Sequence, residues 1–195
     1  MNSEEKLQEV LKVALKCFAR FGYKKTTMEE IAGELGLTKG ALYIYASNKE
    51  DLYQKAIAMA LNSWQNRVRE ALNKETDPIV KLRLMSFKAF QYLAEDDELR
   101  QILVTDPEIF PMFPINDPYH EINEKSREML RTIIADGIKT GVFRSVDLQS
   151  VTWLLFSIYK LFIIDTYIVS DKEATEKLFS DAVDFVLHGL LKSSS

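Results

Sequence analysis

The chain has 195 residues, 47% of them apolar and 28% charged, a balance that suits one or two packed domains and excludes a disordered polymer. Seven glycines and five prolines are too few for the frequent turns of an all-β sandwich. A single cysteine and two histidines leave no disulfide framework and no multi-cysteine metal site. The net charge of −4 argues against a nucleic-acid partner when averaged over the chain, but its distribution does not. Between residues 16 and 49, six basic residues (Lys16, Arg20, Lys24, Lys25, Lys39, Lys49) face three acidic ones (Glu29, Glu30, Glu34), a basic tip on an acidic body.

The elements read as helices throughout. Leu7, Val10, Leu11, Ala14, Phe18 and Phe21 recur at three- and four-residue spacing, so a first amphipathic helix is expected from Ser3, its N-cap, to Phe21, with Gly22 ending it. Thr27 and Glu30 make a capping box for a second helix that Gly36 stops. Thr38 caps a third, from Lys39 to about Tyr45, and Ser47 or Asn48 caps a long fourth, from Lys49 to about Leu72. Asp77-Pro78 opens a fifth, and a shorter sixth runs from about Asp96 to Val104.

Four of the five prolines then fall between Pro107 and Pro118, interleaved with Ile109, Phe110, Met112, Phe113 and Ile115. That density of missing N–H groups forbids a helix, and the segment is either a loop over a hydrophobic cleft or a loop that closes the core. Three more helices follow, over about His120 to Thr140, Leu148 to Val169 and Lys172 to Leu191. The fold class is therefore all-α, about nine helices in all. The fourteen-residue apolar stretch from Val151 to Ile164 carries Lys160 and is shorter than the roughly 20 residues of a membrane span, so it reads as a buried helix. No basic-then-apolar leader opens the chain, and a cytoplasmic protein with no membrane partner is expected.

Two short helices joined by a glycine turn, with small Ala32 four residues before Gly36 and Leu42 six after it, have the spacing of a helix-turn-helix. On a helix of 100° per residue, Lys39, Gly40, Tyr43 and Ile44 point away from the domain while Ala41 and Leu42 face it. Lys39 can reach guanine edges or phosphate, Gly40 admits a close strand, and Tyr43 offers a ring and a hydroxyl. Ile44 either meets a thymine methyl or packs at the helix end. Thr26, Thr27 and Thr38 carry hydroxyls for phosphates near helix N-termini.

The string Gly36-Leu37-Thr38-Lys39-Gly40-Ala41-Leu42-Tyr43, followed by Asn48-Lys49-Glu50-Asp51-Leu52, resembles the TetR family of bacterial transcriptional regulators. Upstream, Phe18, Phe21-Gly22-Tyr23, Thr26-Thr27 and Ile31-Ala32 agree with it in order and spacing, so the likeness covers roughly residues 5 to 55. Where the family usually has Tyr-x-His-Phe, this chain has Tyr43-Ile44-Tyr45-Ala46, so Tyr45 takes over a phosphate contact and Tyr53 or Phe21 must fill the space above Ala46. The resemblance implies a helix-turn-helix DNA-binding domain over residues 1–47 and a helical ligand-binding and dimerisation domain over residues 48–195. It further implies a phosphate contact by Lys49, a homodimer on double-stranded operator DNA and a small effector. The sequence has no nucleophile motif, glycine-rich phosphate loop or metal-ligand cluster, so no catalytic residue, cofactor or metal is expected.

The helix from Leu148 is apolar on nearly every side, and an element of that kind must be covered on every side. Ile163 and Tyr167 with Phe179, Val183, Val186, Leu187 and Leu190 of the last helix are the expected dimer face. Trp64, Met85, Phe87, Phe90, Phe110, Phe113, Met129, Trp153, Phe156 and Tyr159 are the candidates for a ligand pocket. Its composition suits an apolar or aromatic molecule, an acyl chain included, and no cluster of Arg or Lys marks an anionic head group. The functional expectation is a ligand-released repressor. The alternative is a DNA-binding adaptor that contacts a protein and has no small-molecule effector.

Overall fold

The computed structural model of the protein describes residues 2–106, 109, 117–164 and 172–192, those at 164 and 172–176 by backbone alone. Among them nine helices follow one another: α1 (Ser3–Phe21), α2 (Met28–Glu34), α3 (Lys39–Leu42), α4 (Lys49–Leu72), α5 (Pro78–Ala94), α6 (Asp97–Thr105), α7 (His120–Lys139), α8 (Leu148–Ile164) and α9 (Lys172–Leu190). No strand occurs in the described residues. An isolated antiparallel bridge between Phe143 and Leu191 ties the segment after α7 to the end of α9. No helix among the described residues is long and apolar enough to cross a membrane.

Local chemistry sets the helix ends. Thr27 and Glu30 form the expected capping box, the Thr27 hydroxyl accepting from Glu30 N at 3.2 Å and the Glu30 carboxylate accepting from Thr27 N at 2.8 Å. α1 starts one residue earlier than Ser3 implies. Asn2 is its cap, accepting from Glu5 N at 2.8 Å while Glu5 accepts from Asn2 N at 2.9 Å, so a reciprocal pair displaces a lone serine. Of the two candidates before α4, Asn48 is the cap, and Ser47 instead donates to the Asp51 carboxylate. Gly22, Gly36 and Gly141 hold φ of 78°, 64° and 78°, the left-handed values that end α1, α2 and α7. The extension of α8 to Val169 lies outside the described residues.

α3 is shorter than the expected span to Tyr45. After Leu42 the amides of Ile44 and Tyr45 turn back to Ala41 and Leu42, three residues away, at 3.3 and 3.0 Å, tightening the last turn so that the chain can swing into α4. α4, about 36 Å long at 1.5 Å per residue, packs against α1 at one end and against α5 and α7 further along. Its buried side chains join those of α1 in one core, in which Val10, Ala14, Ile31, Leu42, Leu52 and Ile57 are wholly inaccessible. Cys17 lies in this core beside Phe18, and burial pushes its thiol pKa up, which keeps it in the unreactive protonated form.

Candidate functional site

The turn between α2 and α3 is built on backbone bonds that the small side chain of Ala32 permits. Leu37 N donates to Ala32 O at 2.8 Å across Gly36, and Ala32 is 1% exposed. Thr38 accepts from Ala41 N at 3.2 Å and starts α3. Leu42 then fixes the inner face of α3, while Lys39 and Gly40 on α3 and Tyr43 and Ile44 in the turn that follows it are exposed. Ile44 is 79% exposed, so it does not pack at the helix end, one of the two roles open to it from sequence. A side chain at Gly40 would meet only Thr38 Oγ1, at 3.9 Å, and the flank of α3 is open to a neighbouring strand. Tyr45 is half-buried, and Lys55 Nζ donates to its carbonyl at 3.1 Å.

Two expected contacts with DNA face inward instead. Thr26 is 0% exposed, and its hydroxyl donates to Gly22 O at 2.9 Å and to Cys17 O at 3.3 Å, so it closes the corner after α1 and offers no donor to a phosphate. Lys49 is half-buried. Its ammonium donates to Tyr23 O at 2.9 Å and Thr26 O at 3.1 Å and lies 4.5 Å from the Tyr23 ring centroid, which makes it a staple between α4 and the α1–α2 corner. Lys39 is exposed but ion-paired with Glu29, which holds the Glu29 carboxyl below its ordinary pKa and the Lys39 ammonium above its own. Lys24 and Lys25, exposed in the α1–α2 corner, form no ion pair among the described residues. In the sequence they belong to the basic tip with nothing to single them out.

Of the two candidates to pack over Ala46, Tyr53 is buried in the core and Phe21 is not. The Tyr53 ring meets Phe18 edge-on at 4.9 Å and Tyr23 at 4.8 Å, whereas Phe21 is 44% exposed under Arg20. The Tyr53 hydroxyl donates to Asp106 Oδ2 at 2.6 Å, and burial together with that carboxylate drives its pKa far up. This bond links the first turn of α4 to the end of α6.

An apolar cavity of about 60 Å³ opens among α5, α7, α8 and α9, walled by Leu82, Met85, Ser86, Leu130, Leu155, Phe156, Ile158, Tyr159, Phe179, Ala182, Val183 and Val186. Of the expected lining, Met85, Phe156 and Tyr159 are in its wall. Trp64 and Met129 surround a smaller void of about 20 Å³ with Met85 and Tyr159, and Trp64 Nε1 donates to Ala89 O at 2.8 Å. Phe90 packs on Phe179 at 4.2 Å, and Phe87 meets the same ring edge-on at 5.9 Å. Trp153 points outward. Phe110 and Phe113 lie outside the described residues, as does most of the proline-rich segment. The aliphatic wall residues carry no mark in the sequence because their spacing is that of any core.

The expected dimer face is largely the inside of the subunit. Ile163, Phe179, Val183, Leu187 and Leu190 are all covered within one chain, and Val186 is half-buried in the cavity wall. Tyr167 lies outside the described residues. The uncovered apolar side chains are instead Trp153, Leu154 and Leu161 on α8 and Leu178 and Phe185 on α9, with Phe185 81% exposed. An all-round apolar helix does not say which stripe faces its own core, and the stripe expected from sequence is the inner one.

Residues 10–56 match the model of the family described as bacterial regulatory proteins, tetR family. Over 160 residues the chain is 27% identical to the HTH-type transcriptional repressor KstR2 of Mycolicibacterium smegmatis, a match covering 78% of each protein. Over 165 residues it is 24% identical to the fatty acid metabolism regulator protein of Bacillus subtilis, covering 77% of this chain and 84% of that one. The fold is that of a TetR transcription regulator from Haloarcula marismortui, with a TM-score of 0.82 at 24% identity over 97% of this chain and 100% of the other.

Proposed function

From the match of residues 10–56 to the tetR family of bacterial regulatory proteins, we propose that the chain is a TetR-family regulator that represses by binding a palindromic operator as a homodimer, with a small effector releasing it. Residues 1–47 are the DNA-binding domain in this reading and residues 48–195 the sensor and dimerisation domain. One observation carries it. α3 and the turn after it hold Lys39, Gly40, Tyr43 and Ile44 in the open while Leu42 anchors the inner face. Lys39 exchanges Glu29 for a base edge or phosphate, Tyr43 and Ile44 supply a ring and an apolar contact, and Thr27, Thr38 and Tyr45 supply hydroxyls to the backbone. Lys24 and Lys25 take the phosphate role that Lys49 is too engaged to fill.

Few positive contacts per subunit mean weak binding by one copy. Two copies with α3 helices one turn of DNA apart, about 34–36 Å, reach the roughly 10⁻⁸ to 10⁻¹¹ M of specific operators. The outward apolar side chains of α8 and α9 are the pairing surface in this reading. Effector release requires a coupling of about 3 kcal/mol for a hundredfold loss of affinity. α4 is the carrier, since Lys49 and the ring of Tyr53 join its first turn to the head, the Tyr53 hydroxyl ties the same turn to the end of α6, and Trp64 joins its later turns to α5. The repressor among the relatives supports the direction of control.

Gel mobility shift with the DNA upstream of the protein's own gene, at stated salt, tests this reading. Lys39→Ala and Tyr43→Ala are each expected to lower affinity about tenfold to a hundredfold, the range of a good base contact. Lys24→Ala with Lys25→Ala is expected to reduce the slope of log affinity against log salt by roughly 0.9 for each phosphate no longer neutralised. Unchanged binding in both α3 variants would overturn the assigned surface. The second reading, an adaptor with no small-molecule effector, draws support from the modest size of the cavity, about 60 Å³.

A further inference from the structure

Two voids meet at one pair of side chains. Met85 of α5 and Tyr159 of α8 are in the wall of the apolar cavity and also in the wall of the adjoining void of about 20 Å³, which Trp64 and Gln65 of α4 and Ser126 of α7 help to line. An engineered apolar cavity of about 150 Å³ takes benzene, and the cavity of about 60 Å³ is less than half that size. A ligand therefore needs the space that Met85 occupies. Its unbranched thioether repacks more easily than a branched side chain, and moving it joins the two voids.

The smaller void offers hydrogen bonds that the larger one does not. In the larger, the Ser86 hydroxyl is turned to Leu82 O at 3.1 Å. In the smaller, Gln65 is 5% exposed, and its Nε2 donates to Ile122 O and to Ser126 Oγ, each at 2.6 Å. A carbonyl oxygen only accepts, so the bond to Ile122 fixes which end of the amide is nitrogen. No described residue donates to Gln65 Oε1, and none accepts the proton of the Ser126 hydroxyl. One acceptor and one donor thus border a space of about 20 Å³, more than the roughly 10–15 Å³ that a single water-sized group requires. Among the described residues no charged side chain lines either void.

We propose that the cavity takes a neutral ligand, an apolar or aromatic body tipped by one hydroxyl. The body lies against Phe156 and Phe179, and the hydroxyl enters the smaller void, donating to Gln65 Oε1 and accepting from Ser126. The proposal rests on reading the cavity as the effector site. A carboxylate or an ammonium would be buried with no opposite charge in either wall. A carbonyl would leave Gln65 Oε1 unanswered, whereas a hydroxyl answers both groups. The bonds of Gln65 tie α4 to α7, so a hydroxyl at this place touches the helix whose first turn reaches the head.

Calorimetric titration of the full chain with benzyl alcohol, toluene, benzoate and benzylammonium tests the assignment. Benzyl alcohol is expected to bind about tenfold or more tighter than either ion. Gln65→Leu and Ser126→Ala are each expected to weaken benzyl alcohol about threefold to tenfold, the worth of one neutral hydrogen bond, and to leave toluene binding in place. Met85→Ala is expected to tighten the binding of both neutral compounds, because no side chain then has to move. Tighter binding of either ion, or variants at residues 65 and 126 that affect benzyl alcohol and toluene alike, would overturn the hydroxyl site and leave the effector cavity standing. Weaker benzyl alcohol binding by Met85→Ala would overturn the joining of the two voids, and the hydroxyl site with it. Binding of none of the four compounds, by the wild type or by Met85→Ala, would overturn the cavity reading itself.

Discussion

Phe185→Asp is expected to convert the protein from a dimer to a monomer and to lower operator affinity at least a hundredfold. Phe185 is 81% exposed and Leu178, seven residues before it on the same face of α9, is 57% exposed. Trp153, Leu154 and Leu161 extend the uncovered apolar surface onto α8, at 56%, 52% and 52%. Covering a large apolar side chain contributes about 1.5–3 kcal/mol, and in a two-fold interface each residue is covered twice. A carboxylate introduced there is likewise buried twice, with no basic partner at its own position, and its desolvation cost comes on top of the forfeited apolar burial. Little of the subunit's own packing depends on a side chain this exposed. Circular dichroism should therefore be unchanged while sedimentation at about 10 µM reports a single 22.5 kDa chain. A persistent dimer would place the interface elsewhere.

Gly137→Ala is expected to destabilise the subunit by about 3 kcal/mol, lowering the melting temperature by roughly 6–12 °C. The position is inside α7, where alanine is otherwise favoured over glycine by about 1 kcal/mol, so propensity and packing predict opposite signs. Packing decides it. A methyl at residue 137 would lie 2.7 Å from Phe143 Cγ and nearer still to Cδ2 and Cε2 of the same ring. The ring has little room to retreat. Phe143 is 2% exposed, its amide donates to Gly137 O at 2.9 Å, and the bridge to Leu191 pins the segment to the end of α9. A rise in melting temperature would mean that the ring yields.

What is legible in the sequence is local. The Thr27–Glu30 box, the Asp77-Pro78 start of α5 and the glycine stops at residues 22, 36 and 141 each involve residues within a few positions of one another, and their chemistry is the same in any fold. The outward face of α3 follows from helical geometry and one buried leucine. The residues that mislead depend on distant partners. Thr26 reads as a surface hydroxyl until the carbonyl of Cys17 is beside it, and Lys49 reads as a phosphate ligand until Tyr23 and Thr26 take its protons. The two apolar stripes of α9 are similar in composition, and only packing against the rest of the subunit distinguishes the covered Phe179, Val183 and Leu187 from the bare Leu178 and Phe185. Aliphatic cavity walls are indistinguishable from core by spacing for the same reason.

Hydroxyl-radical footprinting of the retarded upstream fragment tests the central claim, that two α3 helices read successive turns of one duplex face. The account predicts two protected patches related by a two-fold axis, with centres about 10 base pairs apart, or a small multiple of that spacing, both absent in Phe185→Asp at protein concentrations that saturate the wild type. A single unsymmetrical patch, or a footprint unchanged by Phe185→Asp, would contradict it.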